Sequence, residues 1–204
     1  MPDEFSRYDV YATAGSPYCY TESSVLKNKL GIRDGKKLKD VEADVSLIRQ
    51  NEMMSHPVVG RFTVHHLCRI HQKLLGDIYS FAGHFRTEDI SKGDTRFLSH
   101  AEISSKLSAL LQQLHREGNL TQTDFETMIP RAAYFMAELN YIHPFREGNG
   151  RAIREFMRLL LLNSHYTVDW SCVPTEELMQ AMVESVYDTA PLIDVLKQCV
   201  QPRK

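Results

Sequence analysis

From His143 to Arg154 the chain reads His143-Pro144-Phe145-Arg146-Glu147-Gly148-Asn149-Gly150-Arg151-Ala152-Ile153-Arg154, and a helix-forming run from Glu155 to Leu162 follows at once. No other stretch constrains the fold as tightly. A glycine-bearing turn must open a helix here, and the first backbone N–H groups of a helix have no intrahelical partner, so they form a ready anion site. Arg151 and Arg154 sit in the first turns, where the helix dipole is already positive. Each cation there costs roughly 0.3–1 kcal/mol if nothing offsets it. A polyanion lying on the helix start would offset it, and Glu147, just before the turn, is placed to hold the metal ion such a polyanion brings. A plain Asn-capped turn with a solvated arginine face explains each element alone, but not the set.

The neighbouring residues supply the rest of a phosphorus chemistry. His143 is a candidate general base, because an unperturbed imidazole titrates near 6.5 and is partly neutral at physiological pH. Pro144 is expected to hold His143 in an extended conformation. Phe145, between His143 and Glu147, reads as a buried anchor that turns both polar side chains to one cleft. Gly148 and Gly150 let the backbone approach phosphates closely. Asn149 is expected to cap the helix and to offer an amide donor to a phosphate oxygen. Arg151 grips phosphate oxygens with its planar fork, and Arg154 lies one turn on along the same face. In-line attack at phosphorus needs little beyond a positioned nucleophile, Mg²⁺ and cationic clamps.

The rest of the chain is mainly helical in period. Its 204 residues suit one domain, and a formal net charge of −2 gives no bulk attraction to nucleic acid. No basic-then-apolar leader is visible at Met1-Pro2-Asp3-Glu4-Phe5, no apolar run is long enough to span a bilayer, and Cys19, Cys68, Cys172 and Cys199 lack a close pair, as in a reduced cytoplasmic protein. Asp34 is expected to cap a helix with Leu38, Val41, Val45 and Ile48 inward. Another runs from Thr63 to Leu75 on Leu67, Ile70 and Leu74. Ser99–Glu102 and Thr123–Glu126 read as capping boxes, the second opening a helix that must bend or restart at Pro130. One more helix opens at the Gly-Asn-Gly turn and ends near Asn163. Two shorter ones start near Pro174 and Pro191, and the tail Gln201-Pro202-Arg203-Lys204 is expected to fray. Between Gly83 and Leu98, Thr87–Ile90 and Thr95–Leu98 flank a plausible hairpin turn, Ser91-Lys92-Gly93-Asp94. A surface loop is the other reading. His65, His66, Cys68 and His71 crowd one predicted helix. Cys68 and His71 could share a metal, but no second ligand pair supports it, and an ordinary helix is preferred.

The segment from His143 to Arg154 is similar, at every specified position, to the Fic-domain signature His-x-Phe-x-(Asp/Glu)-Gly-Asn-(Gly/Lys)-Arg-x-x-Arg. Glu138–Ile142 resembles the family's lead-in, Val25–Ile32 its N-terminal segment and Ile90–Phe97 its β-hairpin flap. The resemblance implies a mainly α, single Fic-type helical bundle over residues 1–204, with its motif-bearing core at about 18–165, C-terminal helices to about 200, and a flap beside the active site. It implies a protein adenylyltransferase that moves AMP from ATP to a hydroxyl of a target protein. His143 would be the base and Glu147 the Mg²⁺ ligand. Gly148, Asn149 and Gly150 would form the anion hole, and Arg151 and Arg154 would hold the β- and γ-phosphates. The flap, Ile90, Ser91, Lys92, Gly93, Asp94, Thr95, Arg96 and Phe97, would bind the target by main-chain pairing. Kinase-like relatives carry lysine where Gly150 stands and alanine in the segment before it, so AMP transfer is the favoured branch; a catalytically silent binding module is the other rival. No nucleic-acid or membrane partner is expected. Many relatives carry an inhibitory (Ser/Thr)-x-x-x-Glu-(Gly/Asn) helix whose glutamate pairs with the arginine matching Arg154. Neither Glu117-Gly118 nor Glu147-Gly148 has Ser or Thr four residues earlier, which leaves two readings: a small antitoxin supplies that glutamate in trans, the favoured one, or the chain is unrestrained or inhibited by a more divergent segment.

Overall fold

The structure, a computed structural model, describes residues 16–92, 95–121 and 123–203. Among these, seven α-helices carry the fold: α1 Gly35–Ser55, α2 Val64–Leu75, α3 Ile103–Arg116, α4 Phe125–Ile142, α5 Asn149–Asn163, α6 Thr175–Glu184 and α7 Ala190–Cys199. Helix α5 packs between α2 and α4. Helix α1 lies against α2, α3 against α4, and α7 against α4 and α6. The core formed there is almost wholly aliphatic and aromatic, with Leu67, Ile70, Leu74, Phe135, Met136, Leu139, Phe156 and Leu160 at 0% exposure. None of the helices is long and apolar enough to cross a membrane.

The apolar periods set most of these helices. Thr63 caps α2 by accepting from the His66 N–H, and Gly76 ends it. Two caps fall elsewhere than expected. Helix α4 is opened by Asp124, not Thr123, because the Asp124 carboxylate reaches the Thr127 N–H at 3.0 Å. It then runs unbroken to Ile142 through Pro130, so no restart occurs. At Ser99 the box does not form. Asp89 accepts from the His100 N–H at 2.7 Å and from the Ser99 hydroxyl at 3.3 Å, so a carboxylate from outside the helix does the capping.

Helix α1 is rotated from its expected face. Leu38, Ser46 and Met53 are buried, Val41 and Val45 only partly so, and Ile48 is 57% exposed. The cause is across the interface: Glu42 and Ser46 bind the Arg151 guanidinium of α5. A half-buried cation needs those partners more than a valine needs cover. The tail is also not frayed from Gln201 to Arg203; Lys204 lies outside the described residues. Strand β3 (Tyr166–Val168) pairs antiparallel with β4 (Val200–Pro202), Tyr166 opposite Pro202 and Val168 opposite Val200. The expected hairpin forms as β1 (Ser91–Lys92) and β2 (Thr95–Arg96), with Ser91 opposite Arg96 and Lys92 opposite Thr95. Its strands are shorter than the flanking runs suggested, and Gly93 and Asp94 lie outside the described residues.

Candidate active site

The site is the loop between α4 and α5. Helix α4 stops because His143 is left-handed (φ 45°, ψ 62°), its N–H donating to Leu139 O. The expectation that Pro144 keeps His143 extended is therefore wrong. Here the αL helix cap outweighs the pre-proline preference, although αL costs a non-glycine residue roughly 1–2 kcal/mol. The loop ends at Gly148 (φ 76°), which precedes α5 and which a residue with a side chain would occupy only under strain.

Buried contacts hold the loop rigidly. Phe145 has 0% exposure and stacks on the His71 ring at 3.8 Å with an 8° interplanar angle. The Asn149 amide closes on Phe145 from both sides, accepting from its N–H at 2.8 Å and donating to its carbonyl at 2.8 Å. One of the two amide N–H groups of Asn149 is thereby taken by the Phe145 carbonyl. Both of its polar atoms satisfy the buried backbone of Phe145. Asn149 is also the first helical residue, so it adds its backbone N–H to an anion site, together with that of Gly150. His71 Nε2 donates to Glu147 O at 2.7 Å, and its Nδ1 accepts from the Gly83 N–H at 2.8 Å. With both ring nitrogens used, His71 has none for a metal, and no group of three or more potential ligands occurs among the described residues.

His143 is buried, and its Nδ1 lies 3.0 Å from Asn140 O. A carbonyl only accepts, so Nδ1 carries the proton and Nε2 keeps the basic lone pair. Phe97, from the end of the hairpin, stacks on the imidazole at 3.7 Å. Burial, followed by the cations Lys92 and Arg86, drives His143 down to about 3. The ordinary imidazole range read from sequence does not apply here.

Glu147 Oε1 accepts from the Gly148 N–H at 2.8 Å and lies 3.5 Å from Arg151 Nη2. Arg151 is bound to Glu42 and, at 2.7 Å, to the Ser46 hydroxyl; Tyr79 donates its hydroxyl to the same Glu42 carboxylate. Arg154 is half-buried, with Nη1 3.3 Å from the place a Cβ on Gly150 would take. The structure thus gathers His143, Glu147, Gly148, Asn149, Gly150, Arg151 and Arg154 around one loop and helix start. Of the described flap residues it brings Phe97 onto His143, buries Ile90 beneath, and pairs Ser91 and Lys92 with Thr95 and Arg96. Sequence reasoning missed Glu42, His71 and Arg86. Their partners lie 109, 76 and 57 residues away, and only the clustering of histidines near His71 gave any signal.

Two of the buried imidazoles, His71 and His143, make stability acid-sensitive. In the unfolded chain each titrates near 6.5, whereas the fold holds His71 at about 4, mainly by burial, and His143 at about 3. The folded form binds fewer protons, so stability is full above the unfolded value and is lost as pH falls from there towards the folded values. At about 1.4 kcal/mol per pH unit, each should remove about 2 kcal/mol at pH ~5. Urea unfolding at pH 7.5 and 5 measures this. Equal stabilities would contradict the burial of both rings.

A helical bundle of this topology, with a glycine-flanked helix start one short loop after a buried imidazole, is that of a Fic fold. The Fic/DOC family model matches residues 61–161. Over 173 residues the chain is 35% identical to a protein of Salmonella typhimurium named probable protein adenylyltransferase Fic, covering 85% of this chain and 86% of that protein. The chain belongs to the Fic/DOC family. It is also 39% identical over 186 residues to protein adenylyltransferase VbhT of Bartonella schoenbuchensis, covering 91% of this chain but only 39% of that protein. Among solved structures, the BepC protein of Bartonella tribocorum with bound AMPPNP superposes with a TM-score of 0.86 at 26% identity, covering 92% of this chain and 97% of that one. A Fic domain of Bartonella quintana with bound ADP gives 0.87 at 27%, covering 94% and 98%.

Proposed function

We propose that this chain is a protein adenylyltransferase, moving AMP from ATP and Mg²⁺ to a hydroxyl side chain of a target protein. The observation that carries this reading is the fixed tautomer of His143, whose Nε2 is left as the base one short loop from the phosphate-binding start of α5. The names of the relatives in Salmonella and Bartonella support it. In this reading the target hydroxyl gives its proton to His143 Nε2 as its oxygen attacks the α-phosphorus, and pyrophosphate leaves. The backbone N–H groups of Asn149 and Gly150 face the phosphates, and Gly148 lets them come close. Arg154 takes the terminal phosphate. Arg151, steadied by Glu42 and Ser46, lends its charge beside Glu147. A lysine at Gly150, as in the kinase-like branch, would crowd the Arg154 guanidinium.

The donor set suits Mg²⁺ arriving with its nucleotide. Glu147 is a single carboxylate, 14% exposed, and such an ion takes its other oxygens from phosphates and water. The ion would neutralise charge on the leaving pyrophosphate. Glu147→Gln keeps an acceptor for Gly148 but loses the charge. Outer-sphere partners alone typically cost 10–100-fold in metal affinity, so the Mg²⁺ needed for half-maximal rate should rise by at least about tenfold. A Mg²⁺ titration of the rate checks it, and superimposable curves for variant and wild type would remove Glu147 from the ion.

The remaining roles extend the same reading. A target segment would add a strand to the short hairpin Ile90–Phe97, placing its hydroxyl beside Phe97 and His143. A small antitoxin would supply a glutamate to Arg154 and compete with the terminal phosphate. One Fic domain would span residues 1–204, and its free cysteines suit the cytoplasm. Mass spectrometry of lysate proteins incubated with the chain, ATP and Mg²⁺ tests the function: AMP on a Ser, Thr or Tyr hydroxyl supports it, and a bare phosphate there overturns it.

A further inference from the structure

Arg86 was not singled out by sequence, yet its side chain has 0% exposure, and it lies 3.8 Å from the exposed carboxylate of Asp89. It spends its donors on backbone carbonyls. Nε donates to His143 O at 2.9 Å, Nη1 to Glu88 O at 2.8 Å, and Nη2 to Ile142 O at 3.3 Å and to Leu98 O. Its own N–H donates to Pro144 O at 2.9 Å. These carbonyls form two sets. Ile142, His143 and Pro144 make the left-handed turn that presents the imidazole. Glu88 and Leu98 are the two roots of the hairpin, one before β1 and one after β2. The Leu98 N–H also donates to Tyr141 O at 3.1 Å, so the second root is tied directly to the end of α4.

Burying a guanidinium is costly unless every donor is matched, and an apolar side chain of similar volume would often serve cohesion as well. A planar fork that reaches four carbonyls in two segments does something an apolar residue does not: it fixes their relative position. We propose that Arg86 is a positioning residue that holds the His143 ring and the target-docking hairpin in register for AMP transfer. This rests on the AMP-transfer reading above. A displacement of about 1 Å between reacting groups costs on the order of 100-fold in rate, so a small loosening of this clamp should be visible. The carbonyls that Arg86 holds belong to the His143 turn and the hairpin roots, ahead of the loop residues assigned to the nucleotide, so ATP affinity should stay near that of wild type.

The test uses the full chain with Arg86→Lys and Arg86→Gln beside wild type, each well below its own melting temperature. Two quantities are read: the Kd for ATP, and the initial rate at which label from α-labelled ATP enters proteins of a bacterial lysate, per folded molecule. Both variants should bind ATP as wild type does. Gln should lose labelling on the order of 100-fold, and Lys, which keeps the charge without the fork, should lose less. Labelling equal to wild type per folded molecule overturns the proposal. So does a fall in ATP affinity in step with labelling, or failure of both variants to fold, since Arg86 would then be only part of the core. Wild type that binds ATP but labels nothing overturns the AMP-transfer reading itself, and this proposal with it.

Discussion

Replacing His143 by alanine should lower AMP transfer by on the order of 10²–10⁴-fold while leaving ATP affinity nearly unchanged. The two effects separate because the groups divide at Pro144. On one side, His143 hangs from the end of α4, its Nδ1–H held by Asn140 O and its ring covered by Phe97. On the other, Glu147 to Arg154 are fixed by Asn149, His71, Glu42 and Ser46, none of which touches the imidazole. The alanine variant keeps the left-handed turn, so the loop beyond it should stay in place. Because burial holds the imidazole neutral, the wild-type rate should also show no acid limb near 6.5, the ordinary histidine value. Wild-type turnover by the variant would remove His143 from the mechanism.

The largest expected loss of stability is at Phe145. Phe145→Ala should destabilise the fold by about 3–5 kcal/mol, the usual cost of emptying a fully buried aromatic site. Its ring has 0% exposure, stacks on His71 and tilts against Phe85 at 6.3 Å. Collapse into the space is hindered, because the Phe145 backbone is pinned by Asn149 on both polar atoms. The damage should reach the site. His71 would lose the partner that orients its Nε2–H towards Glu147 O, so transfer should fall even in the fraction that stays folded. Urea unfolding measures the first effect. Phe145→Leu, which keeps most of the volume, should cost clearly less. A loss below about 1 kcal/mol for alanine would show that the loop does not depend on this anchor.

How much of this was legible beforehand follows from the range of the forces involved. Helices α2 and α5 stand where their apolar spacing put them, because their buried faces are long runs of Leu, Ile and Phe. Helix α1 does not show its expected face, since Glu42 and Ser46 answer an arginine more than a hundred residues later. The signature residues were all visible, being contiguous and carried by a long motif, and the family and its named activity agree with that reading. What holds those residues was not visible. His71 and Arg86 act through backbone groups of the loop, and a backbone carbonyl leaves no mark in a sequence. The same holds for the low titration of His143, which comes from its burial and from the cations Lys92 and Arg86, far from it in the chain. Asn149 shows the opposite error: it looked like the helix cap, but Gly148 holds that position and the Asn149 amide closes on the Phe145 backbone instead.

The central claim is that His143 and the start of α5 direct attack to the α-phosphorus of ATP. Two incubations of the chain with Mg²⁺ and a lysate, one with ATP labelled on the α-phosphate and one on the γ-phosphate, test it most directly, with the His143→Ala variant in parallel. The account predicts that α-label enters protein, γ-label does not, and the variant incorporates neither. Entry of γ-label would make the chain a kinase-like phosphotransferase, and α-label undiminished by the loss of His143 would contradict the mechanism.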